Sequence, residues 1–253
     1  GVLISHQDDG SILLSQTGLI DRIINAANLP DSKDKSTPAQ VNALPQDLEG
    51  LNYSGNFNYA SLVGMLNYLA NNKRPDIAFA VHQCARYTFN PKVSHEIALK
   101  RIVRYLKATR NQGFIIRRPK HLDIDCYADA DFAGLWNLED RSDPHSVKSR
   151  TGYVILVGDI PIIWKSCLQT EIALSTFEAE YVAFSTAMRD LLPFQNLYFE
   201  VAPSASKSTN CTKSINCIRS SYERLDSVLS LRTLTYLLGS FMRVKEQLKR
   251  STK

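Results

Sequence analysis

The hydrophobic pattern at the start of the chain predicts a β-hairpin followed by a helix. Two alternating apolar runs, 2–6 and 11–15, flank Asp8-Asp9-Gly10, and Asp-Gly between apolar runs is a strong hairpin signal. Helical spacing of apolar residues follows over 17–29. Residues 30–56 are rich in Pro, Ser, Asp, Asn and Gly, which indicates a long loop or linker.

Three further helices are predicted in the next part of the chain. Helical periodicity covers 58–71, and Pro75 fits the first position of a second helix, where its missing N–H costs nothing. A third helix is predicted from about 94 to 109, with an apolar face of Leu99, Ile102, Val103 and Leu106. On its helical wheel Lys100, Arg104 and Lys107 form a separate narrow stripe. These cations fit contact with a nucleic-acid backbone, and equally a solvated helix face.

The pattern changes from helical to strand-like after residue 113 and predicts an α/β (α+β) fold whose second part has several strands followed by a helix. A first strand alternates through Ile124, Cys126 and Ala128, and two more follow at 152–157 and 160–167. A short fourth strand is expected at 171–174, before a helix at about 176–191. The buried stripe predicted for that helix consists of Phe177, Tyr181, Phe184 and Met188.

Composition narrows the class of protein. The chain has 253 residues, 44% of them hydrophobic and 22% charged, which suits one large or two modest globular domains. We expect no membrane segment and no signal peptide, and the start at Gly1 rather than Met suggests a fragment. The 5 cysteines form no CxxC pair, so we expect reduced thiols in a cytoplasmic or nuclear protein that is not secreted.

The charge is unevenly distributed along the chain. Residues 73–120 carry 12 basic and 2 acidic side chains, and residues 121–202 carry 5 basic and 13 acidic ones. This order fits a phosphate-contacting element beside a carboxylate-rich metal site. The alternative is two solvated surfaces of opposite sign.

Four acids in the second half of the chain are candidates for chemistry. Asp129 and Asp131 lie at the end of the first strand, and Glu178 and Glu180 lie in the last helix. At 100° per residue the two glutamates point about 160° apart, with Glu180 at the border of the buried face and Glu178 towards solvent and the helix N-terminus. Carboxylates brought together from a strand end and a helix select Mg²⁺ or Mn²⁺. The alternative is that they are ordinary surface acids.

The amino-acid sequences of several segments resemble the Pol polyprotein of Copia-type (Ty/Copia) retrotransposons. Four segments are similar, in order, to the RNase H domain of that family: 127–134, 149–154, 161–166 and 174–183. Five earlier segments are similar to the end of its reverse transcriptase: 13–16, 37–39, 62–69, 74–77 and 100–107.

The resemblance implies a function and a site. It implies the end of a reverse transcriptase at 1–115, a partial RNase H-like domain at 116–202, and metal-dependent hydrolysis of RNA in RNA–DNA hybrids during retrotransposition. Asp129 and Glu180 match the catalytic Asp and Glu of the family, and Asp131 is a weaker, supporting metal ligand. The implied cofactor is Mg²⁺ or Mn²⁺. The implied partners are a hybrid or other nucleic acid and the rest of Pol, in a cytoplasmic virus-like particle or the nucleus.

Two departures from the family pattern limit this expectation. The paired aspartates of the polymerase are absent, so we expect no polymerisation. The family's third catalytic aspartate and its histidine motif are also missing: residues 203–253 are basic and rich in Ser and Thr, and their acids are Glu223, Asp226 and Glu246. We therefore expect a degenerate or frameshifted tail, with disorder as one alternative and a divergent functional extension as another.

The missing third aspartate has consequences for the predicted sheet and for activity. The sheet is expected to lose a strand and expose an edge. Hydrolysis is expected to be impaired, and the alternative function is an inactive remnant that at most binds nucleic acid. A further option is a host protein that reuses the fold as an interaction surface.

Overall fold

The chain forms two compact units, Gly1–Ile116 and Arg117–Lys253. The computed structural model describes residues 1–40, 44–117, 122–134, 136, 145–202 and 209–213, the last of these as backbone only. Both units combine secondary-structure types to give an α+β fold with open sheets, which confirms the predicted fold class. Among the described helices, none has the length and apolar character needed to cross a membrane.

The first unit begins with the predicted hairpin and continues into helices. Its elements are β1 (Leu3–His6), β2 (Ile12–Ser15), α1 (Thr17–Ala26), α2 (Tyr59–Asn72), a 3-10 turn (Pro75–Ile77), α3 (Ala78–Ala85), α4 (Val93–Ala108) and β3 (Phe114–Ile116). Gly10 in the hairpin loop has φ +79°, a conformation that glycine adopts without steric cost. β3 pairs antiparallel with β2, a long-range contact that local periodicity does not reveal.

The four helices of the first unit share one hydrophobic core. The predicted apolar faces of α2 and α4 are confirmed, since the side chains at those positions are buried. Fully buried members of this core include Ile23, Leu66, Leu69, Ile77, Val81, Leu99 and Leu106. The core therefore follows from helical periodicity in the sequence.

A buried ion pair lies within the same unit. Arg74 Nη2 and Asp76 Oδ2 are 2.7 Å apart, and both residues are buried. The Tyr105 hydroxyl donates to Asp76 Oδ2 at 2.8 Å, and Arg74 Nη2 donates to Thr109 Oγ1 at 2.7 Å. Burial and the neighbouring Asp76 carboxylate raise the pKa of Tyr105. This network ties the turn after α2 to the C-terminal end of α4.

The second unit is a four-stranded mixed sheet with one long helix. Its elements are β4 (Ile124–Asp131), β5 (Arg150–Val157), β6 (Ile160–Leu168), α5 (Thr176–Val201) and β7 (Thr209–Lys213). The strand order is β6-β5-β4-β7; β4, β5 and β6 are antiparallel neighbours, and β7 runs parallel to β4.

Two sequence-based predictions about this sheet are wrong. No strand forms over 171–174, where Ile172 and Leu174 are exposed and only Ala173 is buried. A segment of four residues does not stay extended unless it pairs with a neighbouring strand. The expected loss of a strand is also wrong, because β7 pairs with the edge of β4. The remainder of the predicted tail, 203–208 and 214–253, lies outside the described residues.

The buried face of α5 also differs from the prediction. Phe177 and Tyr181, two members of the predicted stripe, are 73% and 61% exposed, and Phe184 and Met188 are half-buried. The residues that α5 buries are spaced four apart: Ala179, Ala183, Ala187 and Leu191. Large apolar side chains do not mark the buried face of this helix, because small side chains allow the helix backbone to lie close to the sheet.

The Arg74 network gives a stability prediction. Asp76→Asn leaves the buried Arg74 guanidinium without its counter-ion, and we expect a loss of about 3–5 kcal/mol from the free energy of unfolding of the first unit. Urea unfolding followed by far-ultraviolet circular dichroism measures this loss. The fluorescence of Trp136 and Trp164 reports separately on the second unit.

The matched control is Asp21→Asn, which removes the carboxylate partner of Arg110 in an exposed pair 2.6 Å apart. Exposed pairs contribute little, so this variant should unfold like the wild type. Equal destabilisation by both variants would contradict a special role for the buried pair.

Candidate carboxylate site

Asp129 occupies a buried position near the end of β4. Its residue is 5% exposed, and it pairs across the sheet with Gly152 of β5. Cys126 and Ala128 belong to the core cluster that contains Ala187 of α5, so the alternation of a strand directs Asp129 to the opposite face of the sheet. A buried carboxylate at this position is unusual and needs polar surroundings.

Glu180 lies in the second turn of α5 and is half-buried, next to Ala179 of the alanine face that the helix buries. Its neighbours Ala179 and Ala183 form a small buried cluster with Ala130 of β4. Because Ala130 directly follows Asp129, this cluster brings the helical turn that carries Glu180 to the end of β4 that carries Asp129.

Glu178 has a different, structural role at the start of α5. Its Oε2 accepts a hydrogen bond from the Leu174 backbone N–H at 2.7 Å, and its own N–H donates to Ser175 Oγ at 3.1 Å. Ser175 is the N-cap residue, so these two bonds form a reciprocal cap of the helix N-terminus. This confirms the predicted orientation of Glu178 away from the site.

Asp131 lies against the turn that follows β4. A Cβ added to Gly134 would be 1.9 Å from Asp131 Oδ2, so the aspartate carboxylate occupies the space that a side chain at residue 134 would need. The same turn contains Ala133 with φ +46°, and the Ala133 N–H donates to Ser149 Oγ at 3.3 Å. The position of Asp131 fits a supporting role in this turn.

Two polar residues near Asp129 are not predicted from the sequence. Ser166 of β6 is in register with Gly152, which is in register with Asp129. Ser166 is 7% exposed, and no described residue makes a hydrogen bond to its Oγ. Gln169 donates from Nε2 to Thr151 Oγ1 at 3.2 Å and to Ala179 O at 2.8 Å. Gln169 thereby fixes the end of β6 to the first turns of α5, a contact that no periodic pattern signals.

Within the described part of the chain, the oxygen donors near Asp129 are fewer than the two-ion site of the family resemblance would use. Among the described residues, no group of three or more His, Cys, Asp and Glu side chains is arranged to hold a metal ion. β7, the strand next to β4, has the sequence Thr-Asn-Cys-Thr-Lys and carries no acid. Its last residue, Lys213, is in register with Ala128, one residue before Asp129. Asp129 and Glu180 remain as candidate oxygen ligands.

The predicted cationic stripe of α4 is largely engaged in contacts within the first unit. Lys100, Arg104 and Lys107 are each half-buried. Lys100 Nζ donates to Glu96 Oε1 at 2.6 Å, and Lys107 Nζ donates to Ser32 O at 2.8 Å. The stripe is therefore not the freely solvated face that the helical wheel suggests. Nucleic-acid binding by these three residues stays a prediction.

Relatives among known proteins identify the origin of the chain. It is 34% identical over 168 residues to the retrovirus-related Pol polyprotein from transposon RE1 of Arabidopsis thaliana, covering 66% of the chain and 11% of that relative. It is 32% identical over 196 residues to the Pol polyprotein from transposon TNT 1-94 of Nicotiana tabacum, covering 75% of the chain and 14% of that relative. An uncharacterized mitochondrial protein of Arabidopsis thaliana is 30% identical over 191 residues, which are 76% of the chain and 75% of that protein.

These similarities support a region of a Copia-type retrotransposon Pol polyprotein as the origin of the chain. The chain corresponds to a short region of the full-length relatives, between about a tenth and a seventh of their length. Neither a protein-family model nor a solved structure matches this Pol region. Which domains of Pol the two units represent stays a prediction.

The alanine face of α5 gives a prediction for this Pol region. Ala183→Leu inserts a larger side chain where the helix meets the end of β4, and overpacking should cost about 1–3 kcal/mol in the free energy of unfolding of the second unit. Urea unfolding followed by tryptophan fluorescence measures it. Tyr181→Leu, at a mostly exposed position of the same helix, serves as the control and should have a much smaller effect. A larger effect at residue 181 than at 183 would contradict this assignment of the buried face.

Proposed function

We propose that the first unit is the end of a reverse transcriptase and that the second unit is an RNase H-like domain of the Copia-type Pol polyprotein. The relatives support the Pol origin, and the finer division rests on sequence segments. The four segments that resemble the RNase H domain fall on β4, the start of β5, β6 and the start of α5. A mixed sheet with a flanking helix is the fold that this resemblance implies.

The proposed function of the chain is the recognition of nucleic acid without efficient hydrolysis by its second unit. The observation that carries this proposal is the absence of any acid in β7, the strand that pairs with the strand of Asp129. Two carboxylates neutralise a pair of divalent cations less completely than three do. Hydrolysis by a pair of ions needs both ions held near the scissile phosphodiester, so a site of two carboxylates should lose most of its rate.

The second candidate function is a retained, slower RNase H activity. It is favoured by the burial of Asp129 and by the cluster of Ala130, Ala179 and Ala183, which brings the turn of Glu180 to the same end of β4. In this case Asp129 and Glu180 would hold Mg²⁺ or Mn²⁺, and Asp131 would support the turn beside them. The metal would supply the activated water and stabilise the leaving oxygen.

The proposed partner is an RNA–DNA hybrid or a related duplex, together with the rest of Pol. The basic segment 73–120, with 12 basic and 2 acidic side chains, is the source of attraction to phosphates. Binding of this kind releases counterions and weakens steeply as the salt concentration rises. The lysines of α4 contribute to this attraction at a distance, although they make contacts within the first unit.

A labelled RNA–DNA hybrid tests the two candidates. With Mg²⁺ present, we expect the wild-type chain to bind the hybrid in a salt-sensitive manner and to cleave it no faster than Asp129→Asn, because the site lacks a third acid. Gel electrophoresis of the labelled RNA measures cleavage, and fluorescence anisotropy at several salt concentrations measures binding. Cleavage that is lost in Asp129→Asn would instead establish the second candidate.

A gain-of-function variant sharpens this test. Thr212 of β7 is in register with Tyr127 of β4, which lies two residues before Asp129. Thr212→Asp therefore adds an acid to the strand beside the candidate site. We expect it to raise Mg²⁺-dependent cleavage above the Asp129→Asn background. Thr212→Asn, with a similar size and no charge, is the matched control. No cleavage by Thr212→Asp would count against the missing acid as the cause of inactivity.

A further inference from the structure

His95 forms the centre of a buried cluster at the start of α4. The residue is 0% exposed. Its Nδ1 accepts a hydrogen bond from the Lys92 backbone N–H at 2.9 Å, and its Nε2 lies 2.9 Å from the carbonyl oxygen of Pro45. Because a carbonyl can only accept, Nε2 carries the proton and donates, and Nδ1 is the unprotonated nitrogen. The Lys92 hydrogen bond therefore requires the neutral form of the imidazole. The Nε2–H donor to Pro45 O is present in either form, so protonation removes the Lys92 bond and places a cation in the buried cluster.

The same cluster holds residues 44–47 of the loop between α1 and α2. The ring of His95 stacks on Tyr87 with centroids 4.0 Å apart and planes 4° apart, and the Tyr87 hydroxyl donates to Leu44 O at 2.9 Å. The Ser94 hydroxyl donates to the Asp47 carboxylate. Three adjacent contacts thus attach this loop to the residues that end α3 and begin α4.

Lys92 is the N-cap residue of α4, and His95 is three positions later. At this position a Glu or Gln side chain commonly accepts the N-cap N–H to form a capping box. In this chain a histidine makes that bond, and histidine is the side chain whose ordinary pKa lies closest to neutral pH. A proton added to Nδ1 would remove the acceptor, and the buried ring would become a cation.

We propose that His95 is a pH-dependent latch, which holds residues 44–47 against the start of α4 when neutral and releases them when protonated. The inference rests on the paired hydrogen bonds and the stacked ring, and it is independent of the proposed function of the second unit. Its direct consequence is that acidification loosens the loop and the first turn of α4 together.

The charged and titratable groups around the ring define the direction of the effect. Burial lowers the pKa of His95, the Pro45 carbonyl and Asp47 oppose this, and Arg86 and Lys92 add to it. Because the folded-state pKa lies below the unfolded-state value, the unfolded chain binds more protons in the interval between them. The stabilisation is therefore fully present above about pH 6.5, the ordinary value for histidine, and is lost as the pH falls below it.

Hydrogen–deuterium exchange of the whole chain tests the latch. We expect protection at pH 7.5 of the Lys92 amide, which donates to His95 Nδ1, of the Glu96 amide, which donates to Lys92 O, and of the Gly50 amide, which donates to Asp47 O. The protection factors should fall by up to about tenfold per pH unit below the unfolded-state pKa. Nitrogen-15 shifts of labelled histidine in the wild-type chain should show an unprotonated Nδ1 and a protonated Nε2 for His95 at pH 7.5. The opposite tautomer would overturn the proposal without any variant.

Two variants separate the latch from a merely structural histidine. His95→Gln keeps an acceptor for the Lys92 N–H and a donor for Pro45 O but does not titrate, so protection should stay high at both pH 7.5 and pH 5. His95→Phe keeps the stack on Tyr87 and loses both hydrogen bonds, so protection should be low at both pH values. A pH profile in His95→Gln equal to that of the wild type would assign the effect to another group and refute the latch.

Discussion

The close packing of the alanine face of α5 against β4 is the contact on which the candidate site depends. Ala179 and Ala183 meet Ala130, and side chains of this size let a helix backbone approach a sheet more closely than leucine or phenylalanine would. Glu180 lies between the two alanines in sequence, and Asp129 precedes Ala130. The packing of small residues therefore determines how near the helical turn of Glu180 lies to the end of β4, while strand alternation directs the Asp129 side chain to the other face of the sheet.

Charge in the first unit is used mainly to hold the fold together. The buried Arg74–Asp76 pair joins the turn after α2 to the end of α4. Two other cations of α4, Lys107 and Arg101, donate to the carbonyl oxygens of Ser32 and Thr37 in the loop between α1 and α2. A basic segment can thus be rich in cations without presenting a free cationic surface. Its net charge still attracts phosphates over several ångströms, which is the basis of the proposed nucleic-acid binding.

The sequence predicted the parts of this structure that depend on local periodicity. The hairpin, α2, α4 and the three antiparallel strands follow from spacings of two or of three to four residues. The helix α5 was predicted, but its buried face was not, because Phe177 and Tyr181 are more hydrophobic than alanine while the sheet requires small residues. The strand β7 was not predicted, because four of its five residues are polar and its strand conformation comes from pairing with β4. Gln169 and Ser166 belong to no periodic pattern in the sequence, because their places in the structure depend on residues distant along the chain.

The central claim is that Asp129 and Glu180 remain from a larger carboxylate set and do not hold a pair of metal ions. Titration with Mn²⁺, followed by electron paramagnetic resonance of the free ion, counts the ions bound to the wild-type chain and to Asp129→Asn. The difference between the two chains isolates this site from other acids. The account predicts a difference of one weakly bound ion or fewer, whereas two ions lost together with the Asp129 carboxylate would contradict it.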